Sequence, residues 1–510
     1  MKRIIILFTV TILLYGCGGS NMIEYPEASN TAKDGSFVSK TGIFRHGEKE
    51  YTADYGTITV PENRRKINSR FIHLPVIRIH ARSNNPKEPI FQLSGGPGQT
   101  NMGCWAAIDS LLYDHDFIMA GYRGVDGSSI LDCPEIKDVL SDNVDDFLSE
   151  ESLKRIGGAW TACAERFDSD GIDLNGYTMT ETIGDLEAVR KIFNYEKISL
   201  ISGSYGTRLA YLYSIIHPDI INRSVMMASN RPGGFIWDPR RTDEQLKYYS
   251  RLWANDSVMV KKSPDLAATM KKVLDNMPRK WLLFSIDPGK VKMLTFCMLF
   301  ERKNAALVFD AYVAAENGDY SGLALMSMAF DYILPDMFVW GEFAAIALSS
   351  DTKYWDEDLY AKPNTDKILG APLNEFAWQS LKYANLEIEM IPDSLQVPAN
   401  SDNETLFLSG SVDFASPLEN ARALLPYMKN AKQIVLSEAG HVNDIRYLQK
   451  QTTDALITKF INTGIIDTSE IKYIPMNFDA GWGFTGIAKA GVAAIGALAL
   501  LLAGVVVWIL

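Results

Sequence analysis

Ser204 lies in KISLISGSYGTRLAY, residues 197–211, where an apolar run meets a Gly/Ser turn and then a helical pattern. A hydroxyl is a poor nucleophile near neutral pH unless a base takes its proton and a third group orients that base. The usual signature of a nucleophile on such a turn is Gly-x-Ser-x-Gly. Here Ser202 takes the first glycine position and Gly206 the last, so Ser202 is expected to cost backbone strain without removing the nucleophile. A second run, IFQLSGGPGQT at 90–100, suits the other half of acyl transfer. A tetrahedral oxyanion needs two backbone donors. Glycines let the backbone approach closely, whereas Pro97 has no N–H. Gly95 or Gly96 is therefore expected to supply one donor, and the N–H of Tyr205 the other.

These groups need a scaffold that presents them together. Phe71 to His80, Pro89 to Leu93, Asp116 to Ala120, Lys197 to Ile201, Ser224 to Ala228, Thr405 to Ser409 and Lys432 to Leu436 read as strands. Thr182 to Phe193, Thr207 to His217 and Pro417 to Met428 read as helices. Such alternation predicts a mostly parallel sheet covered by helices, an α/β fold. The stretch 235–398 is helix-like, lacks the alternation, and holds six of the ten tryptophans. It reads as a helical insertion into one α/β domain.

On a sheet of this kind the triad runs in the order serine, acid, histidine. Of the six histidines, His46, His73, His80 and His115 precede Ser204, and His217 ends the helix after it. His441, in SEAGHVND after the last strand, remains as the base. Asp413, in TLFLSGSVDFASP, follows its strand, whereas Asp402 precedes it and would fall at the opposite edge. Ser204, Asp413 and His441 then share the carboxyl ends of the strands, where open α/β sheets bind ligands.

With these pieces in order, the chain resembles the α/β-hydrolase serine peptidases of the prolyl aminopeptidase and tripeptidyl aminopeptidase type. The resemblance rests on YGTITVPEN, LSGGPGQ, GYRGVDGSS, DLEAVR, SGSYGTRLAY, GSVDFASP and AGHV, across about residues 50–465. It implies an α/β-hydrolase fold with a large helical cap, an acyl-enzyme on Ser204, and release of residues from the free N-terminus of peptides, with no metal or cofactor. It also implies acidic cap residues for the substrate's amino terminus, and Glu342 and Asp351, in WGEFAAIALSSD, are the candidates. There are departures: Gly121 stands where the family often has aspartate, Asp126 where it has glycine, and Leu348 where it has cysteine. An esterase with the same triad, or a non-catalytic binding protein on the same fold, are the rival readings.

The remaining features concern location. A net charge of −12 and the lack of a long Lys/Arg run argue against a nucleic-acid partner. Met1-Lys2-Arg3, an apolar run from Ile4 to Leu14, and Cys17 resemble a bacterial lipoprotein signal, with lipid on Cys17. Ala490 to Leu510 carries no charge and as a helix would rise about 31 Å, enough to cross a membrane. The expected organisation is signal peptide 1–16, linker 17–40, core 41–234, cap 235–398, core 399–470, linker 471–486 and transmembrane helix 487–510. An exported, membrane-held chain can carry disulfides. Cys133–Cys163 is the favoured pair, and the absence of Cys-x-x-Cys gives no sign of zinc.

Overall fold

The computed structural model describes residues 24–141, 146–355 and 367–509, so the signal run and Cys17 lie outside the described residues. Its sheet strands in the first half of the chain are β1 (Phe37–His46), β2 (Lys49–Pro61), β3 (Phe71–Ile79), β4 (Ile90–Leu93), β5 (Phe117–Ala120), β6 (Ile198–Gly203) and β7 (Ile221–Met227). Three long helices accompany them: α1 (Glu150–Ser169), α2 (Met179–Ile192) and α3 (Tyr205–Ile216). Every residue of β4, β5 and β6 is buried, which is why these strands read as continuous apolar runs.

Between β7 and the next sheet strand the chain forms α4 (Pro239–Ala254), α5 (Leu266–Asp275), a small hairpin β8–β9 (Lys280–Trp281 and Phe284–Ser285), α6 (Pro288–Met298), α7 (Arg302–Glu316), α8 (Ser321–Ile333) and α9 (Trp340–Ser350). The sheet then resumes with β10 (Glu404–Gly410) and β11 (Ala431–Leu436), followed by α10 (Val442–Tyr447), α11 (Lys450–Thr463) and α12 (Gly483–Ile509). The nine strands run in the order β1-β2-β3-β5-β4-β6-β7-β10-β11. Pairing is antiparallel from β1 to β5 and parallel from β5 to β11. The parallel part is the part whose strand ends carry Ser204, Asp413 and His441.

Three expectations are corrected. Residues 37–40 belong to β1, not to a linker; β1 is an exposed edge strand, so its sequence lacks an apolar stripe. The helix expected over 417–428 is α-helical only at Glu419–Leu424, because Pro426 cannot continue the ladder. The last helix begins at Gly483 rather than 487. Its first turns rest on the cap: Lys489 pairs with Asp319, and a methyl built on Gly322 would meet Thr485 at 2.9 Å. Gly483–Leu501 is buried at Phe484, exposed from Ala493 to Leu501, and long and apolar enough to cross a membrane. A disulfide joins Cys133 to Cys163 on α1, while Cys104 and Cys297 are free.

Candidate active site

Ser204 follows β6 and caps α3 with φ 53° and ψ −124°. A non-glycine residue there carries about 1–3 kcal/mol of strain and persists only where its surroundings enforce it. The Ser204 N–H donates to the Met227 carbonyl at 3.0 Å, and Thr207 donates its N–H and Oγ1 to the Ser204 carbonyl at 2.9 and 2.6 Å. Gly206 must be glycine, since a Cβ there would lie 2.2 Å from the Leu93 carbonyl oxygen. The expectation for Ser202 is overturned: it sits in β6, its hydroxyl donates to the Val225 carbonyl at 3.0 Å, and the positive φ falls on Ser204.

Asp413 follows β10 and is fully buried. Its Oδ1 accepts the N–H groups of Ala415 and Ser416 at 2.9 and 2.8 Å. His441 Nδ1 lies 2.9 and 3.1 Å from Oδ2 and Oδ1 of Asp413. A carboxylate only accepts, so Nδ1 carries the proton and Nε2 is left as the basic nitrogen. The His441 backbone N–H donates to the Phe300 carbonyl at 2.7 Å, and the two rings stand 5.8 Å apart. Elbow and histidine turn meet at their neighbours: a methyl on Gly203 would lie 3.2 Å from both γ-carbons of Val442. No Ser204–His441 hydrogen bond forms among the described residues; in ligand-free sites such bonds are often long and tighten with substrate.

Burial alone would pull the His441 pKa down, but Asp413, Glu301 and Asp444 outweigh it and hold it above the ordinary 6.5. Glu301 and Asp444 were not foreseen from the sequence. Burial, then the neighbouring Asp444 carboxylate, pushes Glu301 up to about 7. Asp444 stands three residues after His441, so its nearness could have been read; Glu301 comes from the cap and could not.

Gly95 sits against Ser204, for a Cβ on it would lie 3.2 Å from Ser204 Cβ. The N–H groups of Gly95 and Gly96 bond to no protein acceptor among the described residues. The N–H of Tyr205 opens α3, where helical donors have no partner. Gly96 and Gly98 have φ of 130° and 81°, values that favour glycine. Asn101 braces the loop, accepting from Ser94 N–H at 2.9 Å and donating to the Gln92 and Ala120 carbonyls at 3.0 and 2.8 Å. Asp126 completes the brace by accepting from Thr100 Oγ1, Asn101 N–H and Tyr122 N–H at 2.5, 3.2 and 2.8 Å. The departures at 121 and 126 are close in space. A Cβ on Gly121 would lie 2.7 Å from both Asp126 Cβ and Pro75 Cδ, so this chain has no room for a side chain there.

The two cap acids divide. Asp351 is fully buried, accepts the N–H groups of Gly233 and Phe235 at 3.1 and 2.9 Å, and faces Arg208 at 3.4 Å. Its oxygens hold the turn at Gly233 and Phe235. Glu342 on α9 is also buried, but its Oε2 has no partner among the described residues. Burial pushes its pKa up to about 8, against the nearby Gly98 N–H, which pulls it down. The cap tryptophans Trp253 and Trp340 are core, as buried indoles commonly are.

Residues 88–443, well over half of the chain, match the alpha/beta hydrolase fold family. The tripeptidyl aminopeptidase of Streptomyces coelicolor is 27% identical over 210 residues, 38% of this chain and 39% of that protein. The tripeptidyl aminopeptidase of Streptomyces lividans is 26% identical over the same shares. The chain thus spans about two fifths of the length of these relatives. A serine hydrolase from Cycloclasticus zankles covers 84% of this chain and 100% of its own at 13% identity and a TM-score of 0.34.

Proposed function

The chain belongs to the alpha/beta hydrolase fold family, and on that premise we propose that it is a serine peptidase that removes residues from the free N-terminus of peptides. Ser204 attacks the substrate carbonyl, and His441 Nε2 takes its proton and returns it to the leaving amine. Asp413 holds the imidazole in the required tautomer, and water then hydrolyses the acyl-enzyme. The N–H groups of Tyr205 and of Gly95 or Gly96 receive the oxyanion. The observation that supports this most is the Asp413–His441 hydrogen bond beside a serine held at φ 53°.

The preference for a free amino terminus rests on less: the partial likeness to tripeptidyl aminopeptidases and the unpartnered, buried Glu342 beside the Gly98 turn. An ammonium group brought to that carboxyl would supply the missing partner and draw it into its ionised form. We further propose that α12 anchors the protein in a membrane, with lipid on Cys17 as a second tether and the core and cap outside the cytoplasm. A panel of peptide anilides with free and acetylated amino termini, beside simple esters, tests the substrate class. Hydrolysis of free-amino peptides with at least tenfold preference over acetylated ones is expected. Cleavage of esters alone would overturn the peptidase assignment. Membrane fractionation tests the anchor, and a wholly soluble full-length protein would overturn it.

A further inference from the structure

Asp413 fixes the ring of His441, and the Val412 N–H holds one side of the turn that carries it by donating to the Ala439 carbonyl at 3.0 Å; the rest of the turn is held from outside the sheet. That turn includes Glu438 at φ 56°, a left-handed conformation that a glutamate holds only under constraint. Glu438 is buried, and its N–H donates to Ser411 Oγ at 2.7 Å. Both of its carboxylate oxygens are taken by one segment, the chain that leads from α11 into α12. The Tyr473 hydroxyl donates to Oε1, and the Met476 N–H donates to Oε2 at 2.6 Å.

The same segment holds the other side of the turn. Arg302 donates from its two terminal nitrogens to the carbonyls of Ile474 and Pro475 at 3.0 and 2.6 Å. The Arg302 N–H donates to Asp444 at 2.7 Å, and the same Asp444 oxygen accepts the Gly440 N–H at 2.8 Å. Two residues before Arg302, the Phe300 carbonyl takes the His441 N–H. The segment is pinned at its start by Gln449, which exchanges two 2.7 Å bonds with the Lys472 backbone. Beyond it, Phe478 is buried against Trp253 and Phe309 of the cap. A buried carboxylate and a buried guanidinium, one on each flank of His441, thus find partners in residues 473–476.

We infer that residues 473–476 act as a strap that positions the base, with Glu438 and Arg302 as positioning residues working through it. The inference deepens the serine-hydrolase assignment above and rests on it. It also links the catalytic turn to the helix proposed as the membrane anchor, because the strap is the chain that enters α12.

The test uses the full-length protein carrying Glu438→Ala, Glu438→Gln, Arg302→Ala or Tyr473→Phe. A misplacement of about 1 Å in a catalytic group costs on the order of 100-fold in rate. Glu438→Ala and Arg302→Ala are therefore expected to lower kcat about 10- to 100-fold, with KM for a peptide anilide changed less than about twofold. Loosened contact with Asp413 also lets the His441 pKa fall, so the rising limb of kcat against pH moves to lower pH. Glu438→Gln, which keeps an acceptor, recovers most of the rate, and Tyr473→Phe loses least. Wild-type kcat and an unmoved pH limb in Glu438→Ala and Arg302→Ala would overturn the strap. Should the alanine variants fail to fold, the double variant Glu438→Gln/Tyr473→Phe, which removes both the charge and the hydroxyl donor, is expected to lose more rate than either single change, and wild-type kcat with an unmoved limb there would overturn the strap equally. Failure of the wild type to react with a fluorophosphonate would instead remove the assignment beneath it, a result distinct from an inert strap.

Discussion

Ser204 and His441 are held in unlike ways. The serine turn is braced by its immediate surroundings: Met227 on the neighbouring strand, Thr207 three residues on, and the Leu93 carbonyl behind Gly206. The histidine turn is braced from three distant segments: Ser411 and Asp413 after β10, Phe300 and Arg302 in the cap, and the strap before α12. A nucleophile set on sheet backbone is rigid by construction. A base assembled from separate segments can be tuned, since each segment contributes a charge or a hydrogen bond that alters its pKa or its aim.

Changes on the two sides should therefore differ in kind. On the base side, Asp413→Asn is expected to lower kcat about 10³- to 10⁴-fold through the wrong imidazole tautomer. A kcat within tenfold of wild type would show that Asp413 does not orient the base. On the serine side the large effect is on folding. Gly206→Ala forces a Cβ against the Leu93 backbone and should cost about 1–3 kcal/mol in denaturant unfolding. An unchanged midpoint would mean that the elbow gives more readily than described. Ser202→Ala removes one hydroxyl bond and should cost about 1 kcal/mol or less while activity persists. Loss of activity there would give Ser202 a role beyond the strand.

The smallest effect sharpens the contrast further. Because Asp413, Glu301 and Asp444 hold the His441 pKa above 6.5, the neutral, active form accumulates only above that pH. The rising limb of kcat/KM is expected above pH 6.5, and Glu301→Gln, which removes a negative neighbour, should move it downward. A limb that stays in place would show that Glu301 does not act on the base.

Ser204, Gly95, Asp413 and His441 were legible because their types recur at strand ends in a restrictive order, and six histidines left few alternatives. The buried runs of β4 to β6 were legible for the same local reason. Edge strand β1 was not, since exposure on both faces leaves no apolar stripe to read. Nor could composition separate Glu342 from Asp351. What distinguishes them is a partner far away in the chain: Arg208 and the turn at Gly233 for Asp351, and none for one oxygen of Glu342. The strap, Tyr473 to Met476, is not legible because it engages through two backbone carbonyls, one backbone N–H and one hydroxyl, which residue types do not announce.

Peptide mapping after reaction with a fluorophosphonate probes the central claim most directly. The account predicts one adduct, on Ser204, forming faster as pH rises above 6.5 and absent from Ser204→Ala. An adduct on another residue, or equal labelling of wild type and Ser204→Ala, would contradict it.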